Sequence, residues 1–295
     1  MGAFRDDGRG EDMSSKPMPA ITLGRVLENR TVAGATFLMV IECPAASGAL
    51  PGQFVKFRTW AEPDQGGSPF LDRPFSIHRV DGDRLSLLYR VVGPATKIMS
   101  EAQLGSPVKV SGPLGRGLPE VMDKPMNMRL LGGGMYLPEA CMYLVAGGIG
   151  LAPMALALDW LGGSGAATLF YGERSGDLQV EETWLKSWAG DVVARVDDGS
   201  GYGRPGLVTA PLEEALAREV RPIFACGPAP MLAAVSALAA RYEAPCLVSV
   251  EAGMACGFGV CLTCSLPLKS GGRFRACQEG PVVDGSTINW DKVRV

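Results

Sequence analysis

Within Met142-Tyr-Leu-Val-Ala-Gly147-Gly148-Ile-Gly150-Leu-Ala-Pro153-Met154 the chain changes character twice. An apolar run of strand length comes first, a glycine-rich turn follows, and an apolar stretch then opens a helix. Residues 140–158 carry no charge over 19 positions, and residues 222–240 repeat that length. Both reach the length of a membrane span. Gly147, Gly148, Gly150 and Pro153 break the first, and Gly227, Pro228 and Pro230 break the second. Each is therefore expected to be strand, turn and helix, with no membrane span. Towards the C-terminus the same rhythm predicts strands at 167–171, 192–196 and 223–225. Helices are predicted at 151–161, 182–188, 212–219 and 229–241. Strands alternating with helices make a parallel, doubly wound sheet.

Towards the N-terminus the pattern is different. Stretches at 21–26, 35–41, 53–57 and 84–92 alternate apolar and polar residues, and Pro51-Gly52 and Asp81-Gly82 punctuate them. Short strands at this spacing predict an antiparallel barrel or sandwich. The 295 residues suit two domains and a small third. With 47% apolar and 20% charged residues the chain as a whole is not disordered. A net charge of −3 and a pI near 5.4, without a basic stripe, argue against a nucleic-acid partner. Residues 1–18 read as a disordered tail, and residues 1–16 lack the apolar core of a signal peptide. A cytoplasmic place is expected, and with it cysteines that are thiols or ligands rather than disulfides.

Four of the eight cysteines crowd near the C-terminus: Cys256, Cys261, Cys264 and Cys277, spaced C-x4-C-x2-C-x12-C. The first three match the spacing of a plant-type [2Fe–2S] centre, which needs four thiolates on two irons. Gly257 and Gly259 let the backbone curl and aim N–H groups at sulfur. Structural zinc and disulfides are the alternatives, although zinc prefers paired knuckles. Cys43, Cys141, Cys226 and Cys246 are scattered in apolar contexts and read as buried small hydrophobes. A one-electron centre needs a two-electron partner on this chain or a neighbour.

Candidates for that partner lie upstream. Arg73-Pro74-Phe75-Ser76 enters a strand, and Leu88-Tyr89-Arg90 precedes the small-residue turn Gly93-Pro94-Ala95-Thr96. Thr96 is a candidate N-cap. A loop at a helix start presents free N–H groups and suits a pyrophosphate, with Arg73 as the balancing charge. The turn Gly147-Gly148-Ile-Gly150 departs from the G-x-G-x-x-G fingerprint but has similar mechanics. Cys226-Gly227 ends a later strand, where open α/β sheets place ligands. Asp197-Asp-Gly-Ser200 is a further polar turn. His78, the only histidine, is expected to be an ordinary strand residue.

Together these motifs resemble the flavin and nicotinamide motifs of the ferredoxin–NADP reductase superfamily. With the cysteine run the pattern is similar to the dihydroorotate dehydrogenase electron-transfer subunits, over about residues 20–290. The resemblance implies an antiparallel β-barrel FAD domain (19–117), a doubly wound NAD domain (118–245) and a small C-terminal [2Fe–2S] domain (246–295). It places Arg73, Pro74, Phe75, Ser76, Leu88, Tyr89, Arg90, Ala95 and Thr96 at FAD and Gly147, Gly148, Gly150, Cys226 and Gly227 at NAD. It also puts the four clustered cysteines on iron. The implied role is an NAD(P)H-linked oxidoreductase subunit in pyrimidine biosynthesis. Electrons from an FMN-containing catalytic subunit would cross cluster and FAD to NAD, within a heterotetramer. Similar subunits serve NADH-dependent ferredoxin:NADP oxidoreductases and sulfide dehydrogenases. No residue is expected to act as acid or base. NAD and NADP are not separated by the sequence. Ala95 stands where the family often has glycine, and residues 119–140 read as an insertion.

Overall fold

Alternation at period two builds the N-terminal half. The computed structural model describes residues 20–59, 69–122 and 142–293. The predicted tail, most of the 119–140 insertion and Cys141 lie outside them. Seven strands form one fully antiparallel sheet: β1 (Ile21–Ala33), β2 (Thr36–Glu42), β3 (Phe54–Arg58), β4 (Arg73–Ser76), β5 (Arg79–Asp81), β6 (Arg84–Arg90) and β7 (Pro107–Leu114). Their order is β4-β3-β7-β1-β2-β6-β5. Met39 and Ile41, Val55 and Phe57, Leu85, Leu87 and Tyr89, and Val108 and Val110 all point into one core, as alternate strand positions must. The ends of the sheet meet. Ile77 N–H bonds Gln53 O beside β3, and His78 N–H bonds Ser86 O on β6. The short run from β4 to β5 thus carries the chain from one edge of the sheet to the other and curls it into a barrel.

Helix α1 (Pro94–Glu101) begins earlier than the expected Thr96 cap. Pro94 fixes φ at the first helical position and makes Gly93 the N-cap. Thr96 sits inside the first turn, where its hydroxyl accepts from the N–H groups of Val92 and Gly93.

After α2 (Leu118–Met122) the second sheet follows. It contains β8 (Met142–Gly147), β9 (Ala167–Glu173), β10 (Val192–Val196), β11 (Arg204–Pro205), β12 (Ile223–Cys226), β13 (Cys246–Ser249) and β16 (Val282–Asp284), the last after the hairpin β14 (Ser265–Pro267) and β15 (Arg273–Arg275). The order is β11-β10-β9-β8-β12-β13-β16, parallel except for β16. Along β8, Met142, Leu144 and Ala146 join one core with α3 (Met154–Trp160) and α4 (Glu182–Ala189), while Tyr143 and Val145 join another with α5 (Thr209–Arg218) and α6 (Ala229–Arg241). Both faces are covered, which is why these strands read as continuous apolar runs. The predicted helix over 151–161 is divided at Pro153 into a 3-10 turn, Gly148–Leu151, and α3. Residues 246–249 form β13 of this sheet, so the expected cluster domain starting at 246 shares its first strand with the parallel sheet.

His78 fastens the two halves. Its ring is buried, stacks on Trp184 (centroids 5.9 Å apart) and meets Trp188 edge-on. Nδ1 lies 2.8 Å from Ala152 O. A carbonyl only accepts, so Nδ1 carries the proton of a neutral ring. Burial is the main cause that lowers the His78 pKa to about 4. In the unfolded chain the ring titrates near 6.5, so acid favours the unfolded state. Stability is full above pH 6.5 and falls by roughly 2–3 kcal/mol as the pH drops towards 4. Urea unfolding of the parent and of His78→Asn, compared at pH 7.5 and pH 4.5, checks this: the acid loss should be smaller in the variant.

Candidate functional site

A cleft of about 260 Å³ opens where the barrel meets the carboxyl edge of the parallel sheet. The barrel lines it with Pro74, Phe75 and Ser76 from β4, Leu88, Tyr89 and Arg90 from β6, Thr96 from α1 and Phe54 from β3. These residues meet because β3 pairs with β4 in a register that puts Phe54 opposite Ser76. The Phe75 ring packs edge-on against Tyr89, with centroids 6.0 Å apart. Tyr89 donates its hydroxyl to Asn29 Oδ1, 3.0 Å away, and its buried ring backs Phe75 from the barrel core. Ile149 and Ala152 close the opposite side, and residues 249–252 and Met254 form the floor. A mostly apolar cleft with a few polar groups has the character of a ligand site, although its volume lies near the lower end of such pockets.

The predicted residues divide into two groups. Seven of the nine barrel positions line the cleft: Pro74, Phe75, Ser76, Leu88, Tyr89, Arg90 and Thr96. Arg73 stands just outside it, with Nη1 donating to Leu71 O at 2.7 Å. Ala95, buried in the first turn of α1, also lies off the lining. The charge of Arg90 is matched by Glu173, whose Oε2 accepts from Nη2 at 2.7 Å, and further bonds run to Thr36 and Leu178. Arg90 therefore ties the barrel to β9 while its stem faces the cleft.

The nicotinamide candidates instead meet one another. Strands β8 and β12 are neighbours, and their carboxyl-end turns are in close contact. A Cβ on Gly150 would lie 2.1 Å from Cys226 O, and one on Gly227 would lie 3.0 Å from Gly147 Cα. These glycines allow backbone to touch backbone. Cys226 is buried, and burial, followed by the nearby Glu251 carboxylate, raises its thiol pKa.

Glu251 was not anticipated from sequence. It lines the cleft with its side chain exposed, and partial desolvation by the protein around it raises its carboxyl pKa. A signal was present: Glu251 follows the carboxyl end of a parallel strand, where such sheets place ligands. Assigning 246–249 to the cluster domain hid that strand.

From the cleft floor the chain runs directly into the cysteine loop. Gly257 and Gly259 adopt φ of +83° and +78°, values that side chains rarely accept. The loop then turns N–H groups onto sulfur. Gly259 N lies 3.0 Å from Cys277 Sγ, and Phe258 N and Cys261 N lie 3.4 and 3.5 Å from Cys256 Sγ. The thiols fall into two neighbouring pairs. Cys261 interacts with Cys256 and Cys277 with Cys264, and Cys256 also acts on Cys277 through its charge. A hydrogen bond from Thr263, then the backbone at Cys256, lowers the Cys261 pKa to about 6. Burial, then Cys264, pushes Cys277 up to about 12. Among the described residues no three His, Cys, Asp or Glu side chains form a group suited to one metal ion. Two thiolates per iron, with N–H donors on sulfur, is the donor set of a [2Fe–2S] centre. The seven described cysteines are free thiols.

Sequence comparison points the same way. The family model for the iron–sulfur cluster binding domain of dihydroorotate dehydrogenase B matches residues 251–289. A dihydroorotate dehydrogenase B (NAD(+)) electron transfer subunit from Desulforamulus reducens is 33% identical, covering 90% of this chain and 97% of its own. Its counterpart from Clostridium acetobutylicum is 32% identical over 90% and 96%. Among solved structures, one of an NADH-dependent reduced ferredoxin-NADP oxidoreductase superposes with a TM-score of 0.73 at 27% identity, covering 92% of this chain and 91% of that one. The ferredoxin reductase in carbazole 1,9a-dioxygenase shares the fold at 19% identity, with a TM-score of 0.57 over 76% and 65%. Likeness over nearly the whole length, joined to a cysteine loop that leads out of the barrel's cleft, places the chain in the family of dihydroorotate dehydrogenase B electron transfer subunits.

Proposed function

We propose that this chain carries electrons between a dihydroorotate dehydrogenase catalytic subunit holding FMN and NAD, using a [2Fe–2S] centre and FAD of its own. One observation supports this above the rest: residues 249–254 floor the cleft made by the barrel motifs, and Cys256 follows two residues later. When bound, FAD would exchange the two electrons of a hydride for single electrons, and the cluster would carry the single electrons. The protein's own part is to hold and orient. Phe75, backed by the buried Tyr89, walls the ring site and Ser76 offers it a hydrogen bond. Ile149 and Ala152 exclude water from the nicotinamide side. Arg73 spends one N–H on Leu71 and keeps others for a diphosphate. Arg73→Ala is therefore expected to weaken FAD retention about tenfold, measured as flavin per chain after gel filtration. Equal occupancy in variant and parent would refute that role.

The division into a barrel (19–117), an NAD unit (118–245) and a cluster unit (246–295) is part of the proposal, with β13 and β16 returning the last unit to the parallel sheet. A cytoplasmic place agrees with its free thiols. Among the described residues no helix is long and apolar enough to cross a membrane. The catalytic subunit is expected to cover the cluster loop. Phe258, Val260 and Leu262 expose apolar side chains around Cys261 there, and a heterotetramer would bury them.

Purified protein should be yellow-brown, NADH should bleach its flavin, and dihydroorotate oxidation should be negligible without the partner. A colourless protein that takes up neither FAD nor iron on reconstitution would overturn the proposal. The 27% identity with the NADH-dependent ferredoxin-NADP oxidoreductase favours a second reading, with a subunit of such an enzyme as partner. Identifying the protein that copurifies separates the two.

A further inference from the structure

Lys56 occupies a position that the relay outlined above does not use. It sits mid-strand in β3 and is only 8% exposed. Strand alternation sends Val55 and Phe57 into the barrel and leaves Phe54, Lys56 and Arg58 on the outer face. Phe54 lines the cleft. Two residues along, about 7 Å at strand rise, the Lys56 ammonium donates to Ala255 O at 2.6 Å and Cys256 O at 3.1 Å. Its stem lies against Gly257, where an added Cβ would meet Lys56 Cδ at 2.7 Å. Both hydrogen bonds go to neutral carbonyls, and among the described residues no ion pair to a carboxylate is formed. Burying an ammonium is costly, and a neutral donor could serve these carbonyls equally well. Arg275 provides a contrast. It also acts on Cys277 and Cys264, but it is half-buried and paired with Glu279, so solvent and a counter-charge screen it.

We propose that Lys56 is a positioning residue that sets the potential of the cysteine-bound centre, holding a buried positive charge against its loop from the strand that also walls the flavin cleft. This rests on the [2Fe–2S] reading of the four cysteines. One-electron reduction adds one negative charge to the centre, and net charge nearby is one of the quantities that fix such potentials. A fixed cation favours the reduced form and raises the potential. The cluster would then accept an electron more readily, held by a strand whose Phe54, two residues from Lys56, lines the cleft.

The test is a redox titration of the cluster followed by electron paramagnetic resonance, on full-length holoprotein with iron and sulfide measured in every sample. Lys56→Met and Lys56→Gln should keep full iron, because the cysteines and loop N–H groups do the ligating. Both should lower the midpoint by a tenfold or greater change in the oxidised-to-reduced ratio, about 59 mV for one electron. Lys56→Arg should stay near the parent, and Arg275→Gln should shift less than the neutral Lys56 variants. An unchanged potential in a fully loaded neutral variant overturns the proposal. So does iron loss in both neutral variants with retention in Lys56→Arg, which would make Lys56 a loop clamp. Absence of iron from the parent itself would instead defeat the cluster reading.

Discussion

Cys261→Ser is expected to abolish the electron paramagnetic resonance signal of the reduced cluster while leaving the reduction of FAD by NADH largely intact. Four thiolates on two irons leave none to spare, and an alcohol stays protonated where a thiol ionises. Cys261 is the exposed ligand candidate, and its pKa is lowered to about 6, first by the Thr263 hydroxyl. The serine variant should lose its bound iron as well as its signal. The cleft lies on the barrel side of residues 249–254, and its walls involve none of the four cysteines, so hydride transfer from NADH should continue. The measurements are iron per chain, the signal after dithionite, and anaerobic flavin bleaching by NADH. Full iron with an unchanged signal would remove Cys261 from the ligand set. Loss of flavin reduction would show that cleft and cluster loop depend on each other for folding.

The second large effect is structural. Gly150→Ala places a methyl group 2.1 Å from Cys226 O, 2.4 Å from its carbon and 2.7 Å from Gly227 N. All three are backbone atoms of the adjacent strand end, so no side chain can swing aside. Overpacking commonly costs about 1–3 kcal/mol and more where nothing yields. A loss of about 3 kcal/mol or more is expected, read as a lower urea midpoint at unchanged slope. The same displacement would part the β8 and β12 turns and weaken NADH binding. Unchanged stability would mean that the two turns do not touch.

Much of this architecture could be read in the residues. The strand at 192–196 and the helix at 229–241 fall where periodicity puts them, because a sheet covered on both faces leaves little ambiguity in apolar runs. The C-terminal section was harder. Residues 246–249 are only four apolar or small positions ahead of a cysteine loop, and β14 to β16 are three residues each. No periodicity develops over such lengths. Their place is fixed by pairing across the chain, β13 with β12 and with β16. Missing β13 also concealed Glu251. The β4 wall of the cleft, Pro74, Phe75 and Ser76, was legible because local sequence makes that strand, while Arg73 falls outside the lining. The match of Arg90 with Glu173, and the bonds from Lys56 to the cluster loop, join residues 83 and about 200 positions apart. Such contacts leave no local mark. His78 departs from its reading as an ordinary strand residue: it lies in the link between β4 and β5, and its burial against Trp184, Trp188 and Ala152 belongs to the tertiary fold.

Electron exchange between the cysteine loop and the cleft is tested most directly by adding NADH anaerobically to the isolated holoprotein and freezing samples for electron paramagnetic resonance. The signal of a reduced [2Fe–2S] centre should rise as the flavin bleaches, with no partner subunit present. If the flavin bleaches while a cluster that dithionite can reduce at a potential above that of NADH stays silent, the two centres are not connected through this chain.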